Sequence, residues 1–207
     1  MNAFRRLQML RAANDEAGAR MEAMRPRFDR LRDRHANGVA PRAVSSFNLF
    51  QTPVEIAAMM AEAAGITADT SVLEPSAGLG RLVNACLAAG CGRVVAVEVS
   101  PDCAGELYRM ELDGMEIRQR DFLLLSPDEL GQFDRVVMNP PFHMRADIAH
   151  IQHASRFVKP GGRLVALCMD THHRREAFAS MSYTQLPARS FRKEGTGIDV
   201  AMLVADY

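Results

Sequence analysis

The segment Asn139-Pro140-Pro141-Phe142 places an amide, a rigid turn and an aromatic ring in four consecutive positions. It follows the apolar run Phe133–Met138, which is typical of a short buried strand. Each proline fixes its own φ and lacks an N–H, and the first proline keeps Asn139 extended. The Asn139 side-chain oxygen and a main-chain carbonyl therefore form a fixed pair of acceptors beside a stacking ring. Such a pair is suited to holding a planar amino group, and the alternative is an ordinary proline turn that closes a strand.

A strand, a turn of small residues and a helix are predicted over Ser71 to Leu82. Gly78 and Gly80 lack a Cβ, so the backbone of the turn can approach a ligand closely. The N–H groups of the next helix would face the same ligand. The spacing is not the full glycine fingerprint of dinucleotide-binding folds, so by itself it is a weak signal for a nucleotide-type site.

Acidic side chains end the next two predicted strands. Glu98 lies near the end of the strand that begins at Arg93, and Asp121 lies near the end of the strand that begins at Glu116. Ligands of doubly wound folds bind at the carboxyl ends of the parallel strands. A single carboxylate is more often a solvated loop residue, but the ordered set predicts one binding site at this edge.

These motifs, in this order, resemble class I S-adenosylmethionine-dependent methyltransferases, and most closely the small phage-type adenine-N6 DNA methyltransferases that lack a target-recognition domain. The resemblance implies that the methionine end of S-adenosylmethionine binds at the turn after the first strand. Its ribose hydroxyls would bind Glu98, and its adenine amino group would bind Asp121. The cofactor-binding residues it implies are Phe50, Thr52, Pro53, Glu74, Pro75, Ser76, Ala77, Gly78, Gly80, Glu98, Val99, Asp121, Phe122 and Asn139.

The same resemblance implies four catalytic residues, which are Asn139, Pro140, Pro141 and Phe142. Asn139 Oδ1 and the Pro140 carbonyl would accept the two hydrogens of an exocyclic amine, and Phe142 would stack on the base. A base inside a duplex cannot reach such a pocket, so it must be flipped out or already single-stranded.

Two further segments are candidates for contact with the nucleic acid. His143 directly follows Phe142 and is expected to line the target pocket. The basic loop Arg189–Gly197 carries Phe191, Arg192 and Lys193, which suit base stacking and phosphate contacts. The alternative for this loop is a flexible hairpin whose charges are simply solvated.

Thr52 has two interpretations. Phe47–Pro53 resembles the segment that closes over the cofactor in adenine-N6 enzymes. Thr52 is also a helix N-cap candidate, with Pro53 at the first helical position and Glu55 three residues after the cap. We retain both interpretations.

No metal and no disulfide are predicted. His143, Asp147, His150 and His153 are spaced as on one helix face, but no second cluster of ligands accompanies them. The cysteines at 86, 91, 103 and 168 show no paired spacing and are expected to be buried thiols of a reducing compartment. With no membrane-length apolar run and no signal-peptide core, the sequence predicts a cytoplasmic protein without a membrane span.

The chain of 207 residues, with zero formal net charge, divides into two predicted parts. Residues 1–37 form an Arg-rich helical extension with nine arginines against five acids. This extension is either a basic arm on nucleic-acid phosphates or an amphipathic helix that packs on the domain, on a protein partner or on a second copy. Residues 38–207 are predicted to form the methyltransferase domain.

Alternating strands and helices predict an α/β fold with a mostly parallel sheet. The resemblance implies a Rossmann-like, doubly wound sheet of seven strands with an antiparallel last strand. It also implies methyl transfer to adenine N6 in DNA as the leading function. The alternatives are RNA adenine-N6 or guanine-N2 methylation, protein-glutamine methylation, and a non-catalytic module that binds a partner.

Overall fold

The computed structural model describes residues 50–207; the predicted extension and residues 47–49 lie outside this range. The helices are α1 (Val54–Ala64), α2 (Arg81–Ala88), α3 (Pro101–Met110), α4 (Pro127–Leu130), α5 (Ala146–Ala154) and α6 (His172–Ala177). The strands are β1 (Ser71–Glu74), β2 (Arg93–Glu98), β3 (Met115–Gln119), β4 (Phe133–Met138), β5 (Val158–Met169), β6 (Ser182–Gln185) and β7 (Val200–Asp206). In the described part of the chain, no helix has the length and apolarity needed to cross a membrane.

The strands form one sheet in the order β3-β2-β1-β4-β5-β7-β6. Strands β1 to β5 pair in parallel, while β7 runs antiparallel to both β5 and β6. This topology confirms the predicted seven-stranded, mostly parallel sheet with an antiparallel last strand. The carboxyl ends of β1 to β5 consequently meet at one edge.

Both faces of the sheet are covered by apolar cores. Along β2, Val94 and Ala96 belong to one core, while Val95 and Val97 belong to the other. Strands that are buried on both faces read as continuous apolar runs, which is why the central strands could be predicted. The four free cysteines are all buried, as expected, and burial raises the pKa of Cys91 to about 11.

Strand β5 includes a segment whose local sequence disfavours a strand. The breakers Pro160–Gly162 favour a turn, but the strand continues through them with a shift in its register against β4. Gly161 adopts a φ of 78° and still donates its N–H to the Tyr207 carbonyl at 2.6 Å. The irregularity is absorbed because pairing with the end of β7 continues across it.

A buried ion pair fixes α5 against its neighbours. Asp147, in the first turn of α5, is fully buried and accepts from Arg174 Nε at 3.1 Å and Nη2 at 3.0 Å. The same carboxylate accepts from the Met169 N–H at the end of β5. Asp147 is therefore engaged in structure, and among residues 50–207 no group of three acidic, histidine or cysteine side chains could hold a metal ion.

Replacing Asp147 with Ala should lower the free energy of unfolding by about 3–5 kcal/mol, because it leaves a buried guanidinium unpaired. Urea unfolding followed by circular dichroism measures the change. The control is Glu106→Ala, which breaks the exposed Arg109–Glu106 pair and should cost less than about 1 kcal/mol. Equal, small losses in the two variants would contradict this role for Asp147.

Candidate active site

The carboxyl ends of β1, β2 and β4 open onto a cavity of about 320 Å³, a volume within the usual range of ligand pockets. Most of the predicted residues meet here. The predicted residues that line the cavity are Phe50, Thr52, Pro75, Ser76, Ala77, Gly78, Glu98, Val99, Asp121, Phe122, Asn139, Pro140, Pro141, Phe142 and His143. Those that do not line it are Pro53, Glu74, Gly80, Phe191, Arg192 and Lys193.

Residues 50–53, which we call the strap, contribute Phe50, Gln51 and Thr52 to one wall of the cavity. The strap has no regular secondary structure, and α1 follows it directly. The N-cap of α1 is Pro53, without a side-chain cap, so the prediction that Thr52 caps this helix is wrong. Thr52 is instead buried against the cavity.

Asn139 is oriented by the strap. Its Nδ2 donates to the Phe50 carbonyl at 3.1 Å. Because a carbonyl can only accept, the amide nitrogen must face the strap, and this fixes the position of Oδ1. That oxygen is buried and has no hydrogen-bond partner among the described residues. An unpaired buried acceptor costs about 1–3 kcal/mol, so the site is arranged for a ligand that donates a hydrogen bond.

Glu98 holds the turn after β1. Its Oε2 accepts from the Gly78 N–H and its Oε1 from the Ser100 N–H, each at 2.7 Å. Gly78 has a φ of 53°, a left-handed backbone conformation that glycine adopts without steric cost. Gly80 lies outside the cavity lining and adopts a φ of 77°, a left-handed conformation that favours glycine. A Cβ at this position would also lie 2.8 Å from Leu107 Cδ2.

Glu74 lies fully buried at the end of β1 and does not line the cavity. One carboxyl oxygen accepts from the Ser76 N–H at 3.2 Å, while Oε2 has no partner among residues 50–207. Burial raises the pKa of Glu74 well above its ordinary range, and the nearby Glu98 carboxylate raises it further. Burial therefore favours the neutral form of this acid beneath the turn.

The wall formed by the segment after β3 is partly aromatic. Asp121 lies two residues beyond the strand and accepts from the Leu123 N–H at 2.9 Å. Phe122 packs edge-on against His153, with ring centroids 4.9 Å apart. His150 also lines the cavity; its Nδ1 bonds to the Ala146 carbonyl at 2.9 Å, and burial lowers its pKa. An uncharged imidazole therefore borders the site.

Arg81 and His150 line the cavity, although sequence reasoning did not place them in the site. Arg81 directly follows the glycine turn as the first residue of α2. The helix macrodipole disfavours a cation at a helix N-terminus, and this unfavourable position is the sequence feature that singles out Arg81. His150 was considered only as a metal ligand.

The C-terminal loop corrects another prediction. The Phe191 ring is fully buried in the core, so the expectation of an exposed aromatic ring is wrong. The turn Arg192–Glu194 presents Arg192 and Lys193 to solvent and directs the ring inward, because burying a phenyl group is strongly favourable. Arg189 and Arg192 line a shallow concavity outside the main cavity.

The raised pKa of Glu74 predicts a pH-dependent stability. Above about pH 4.3 the unfolded chain releases this proton, while the folded protein retains it. The free energy of unfolding of the wild type should therefore fall, relative to Glu74→Gln, as pH rises from about 5 toward the raised pKa. Urea unfolding of both proteins at several pH values measures the difference. A difference that stays constant with pH would contradict the protonated state of Glu74.

The chain is similar to a known methyltransferase over about half of its length. A type II methyltransferase, M.CvrRI of Paramecium bursaria Chlorella virus XZ-6E, is 35% identical over 104 residues, which is 49% of this chain and 26% of that protein. The chain thus spans about a quarter of the length of this relative.

Solved structures share the fold. PH1948 of Pyrococcus horikoshii, described as an RNA methyltransferase, superposes with a TM-score of 0.62 at 19% identity, covering 81% of this chain and 90% of that one. A protein of Vibrio vulnificus YJ016, described as the modification subunit of a type I restriction enzyme, gives a TM-score of 0.59 at 17% identity, covering 92% and 50%. At such identities the likeness establishes the Rossmann-like architecture.

The sequence model of the family described as Methyltransferase small domain matches residues 57–185. The match runs from within α1 to the end of β6 and includes Glu98, Asp121 and Asn139. It covers more than half of the chain. The protein therefore belongs to the methyltransferase small domain family.

Proposed function

We propose that this domain methylates the exocyclic amino group of a nucleobase, with adenine N6 in DNA as the favoured target. The observation that carries the proposal is the Asn139 amide, whose nitrogen is committed to Phe50 and whose oxygen lacks a partner among the described residues. An amino group that donates hydrogen bonds is the complement of such an acceptor.

The residues present suit S-adenosylmethionine. The turn Pro75–Gly78, Glu98 and Asp121 border one cavity, and the orphaned Glu74 Oε2 lies beneath the turn. Glu98 and Asp121 provide acceptors for hydroxyl and amino groups, and the exposed Val99 adds an apolar surface on which a flat ring can lie. When bound, the cofactor supplies an electrophilic methyl group on a sulfonium centre.

The chain's own residues activate the amine by positioning. The lone pair of an exocyclic amine is delocalised into the ring, which makes the nitrogen a poor nucleophile. Asn139 Oδ1 and the Pro140 carbonyl accept its two hydrogens and favour a pyramidal nitrogen. The N–CH₃ bond then forms as the S–CH₃ bond breaks, and the nitrogen loses one proton to solvent. Phe142, buried at the cavity wall, fixes the plane of the base.

The substrate assignment rests on the sequence segments around the site. Phe50–Pro53 and the Leu73–Gly78 turn resemble adenine-N6 DNA enzymes, which favours DNA. RNA is the second candidate, because Asn139–His143 also resembles ribosomal RNA guanine-N2 enzymes and the zero net charge does not favour duplex DNA. We keep residues 1–37 as a proposed contact for nucleic acid, a protein partner or a second copy.

The experiment is methyl transfer from labelled S-adenosylmethionine to duplex DNA, single-stranded DNA and total RNA. Nucleosides from each product are identified by mass spectrometry. We expect N6-methyladenine in DNA, with single-stranded DNA at least as good as duplex because its bases need no extrusion. N2-methylguanine, or label in RNA alone, would support the second candidate instead.

The Asn139→Ala variant tests the assigned role in the same assay. It should lower the transfer rate by about a hundredfold or more, because it removes an acceptor that acts on the reacting group. Cofactor affinity should change far less. Asn84→Ala is the matched control, since its Nδ2 also donates to a backbone carbonyl, that of Gly80, outside the cavity. Equal rates in the two variants would contradict the role of Asn139.

A further inference from the structure

Arg81 occupies an electrostatically unfavourable position. It is the first residue of α2, and no acid lies in the first turn of that helix. The positive end of the helix macrodipole disfavours a cation there. The placement is therefore explained by the contacts that the guanidinium makes.

Those contacts join three segments of the chain. Nη2 donates to Gln51 Oε1 at 2.8 Å, and Nη1 donates to the Thr52 carbonyl at 3.3 Å. Glu194, in the C-terminal loop, lies 3.6 Å from Nη1 and balances the charge from the other side. A planar guanidinium can reach two acceptors of one segment at once, which the point charge of a lysine does poorly.

The strap depends on these contacts for two of its backbone partners. It contributes to no helix or strand, and among its carbonyls that of Pro53 accepts a hydrogen bond from α1 at 2.9 Å. Asn139 donates to the Phe50 carbonyl, and Arg81 donates to that of Thr52. Arg81 itself lines the same cavity. The strap is thus attached to the cavity wall at two points, one at Asn139 and the other at Arg81, next to the glycine turn.

We propose that Arg81 is a positioning residue that holds the strap over the cofactor cavity. The identity of the ligand retained there rests on the proposed function. Without the guanidinium the strap detaches at Gln51 and Thr52, the bound cofactor leaves faster, and the Phe50 carbonyl that orients Asn139 is no longer held. Arg81 therefore acts on the reaction through the strap and does not contact the reacting atoms.

Two measurements test the attachment of the strap, one without a ligand and one with a ligand bound. Hydrogen–deuterium exchange of the amides of residues 51 to 56 is followed in the cofactor-free protein, and dissociation of S-adenosylhomocysteine is followed by rapid dilution. Arg81→Met keeps the aliphatic stem and removes the donors. Arg81→Lys keeps the charge but can reach only one acceptor. Arg93→Met is the control, since Arg93 pairs with Glu116 at the opposite end of β2.

We expect Arg81→Met to raise exchange in the strap and to speed dissociation about tenfold or more, with Arg81→Lys intermediate and Arg93→Met unchanged. Unchanged exchange in both Arg81 variants would overturn the proposal, as would faster exchange with an unchanged dissociation rate. If Arg81→Met fails to fold, the lysine variant carries the same test. A wild type that binds no S-adenosylhomocysteine would refute the proposed function, while the exchange result would still decide the attachment of the strap.

Discussion

The hydrogen bond that Asn139 donates to the Phe50 carbonyl is the interaction on which the rest of the site depends. A side-chain amide has one end that donates and one that accepts, so committing the nitrogen to the strap leaves the oxygen for a ligand. Aspartate would lose this division of roles, because a carboxylate cannot donate to a carbonyl. The proline that follows holds the asparagine extended, which restricts the direction in which the amide can point.

Buried polar groups at the carboxyl edge of the parallel sheet hold the turn and the helix that surround Asn139. Both oxygens of Glu98 accept main-chain N–H groups, which shapes the turn before any ligand binds. Beneath it, burial raises the pKa of Glu74 and so favours the neutral form of that acid over a second charge. The Asp147–Arg174 pair holds α5, the helix that carries His150 to the cavity. Each buried polar group thus serves to preorganise the edge of the sheet.

Much of the fold and the site could be predicted because both follow from local pattern. Apolar runs mark strands that are buried on both faces, and parallel strands bring their carboxyl ends together whatever the details of packing. The errors concern the direction of side chains. Gly80 lies outside the cavity lining, Phe191 turns into the core, and Arg81 reaches back to the strap across 29 or 30 positions of sequence. Tertiary packing decides these directions, and neighbours in sequence carry little information about it.

A crystal structure of the protein with S-adenosylhomocysteine and a short single-stranded oligonucleotide would locate the target base directly. We expect the exocyclic nitrogen of one base to lie within hydrogen-bonding distance of Asn139 Oδ1 and of the Pro140 carbonyl, with Nδ2 still donating to Phe50. A base held elsewhere, or an Asn139 oxygen turned to the cofactor with no amine beside it, would contradict the proposed role of Asn139.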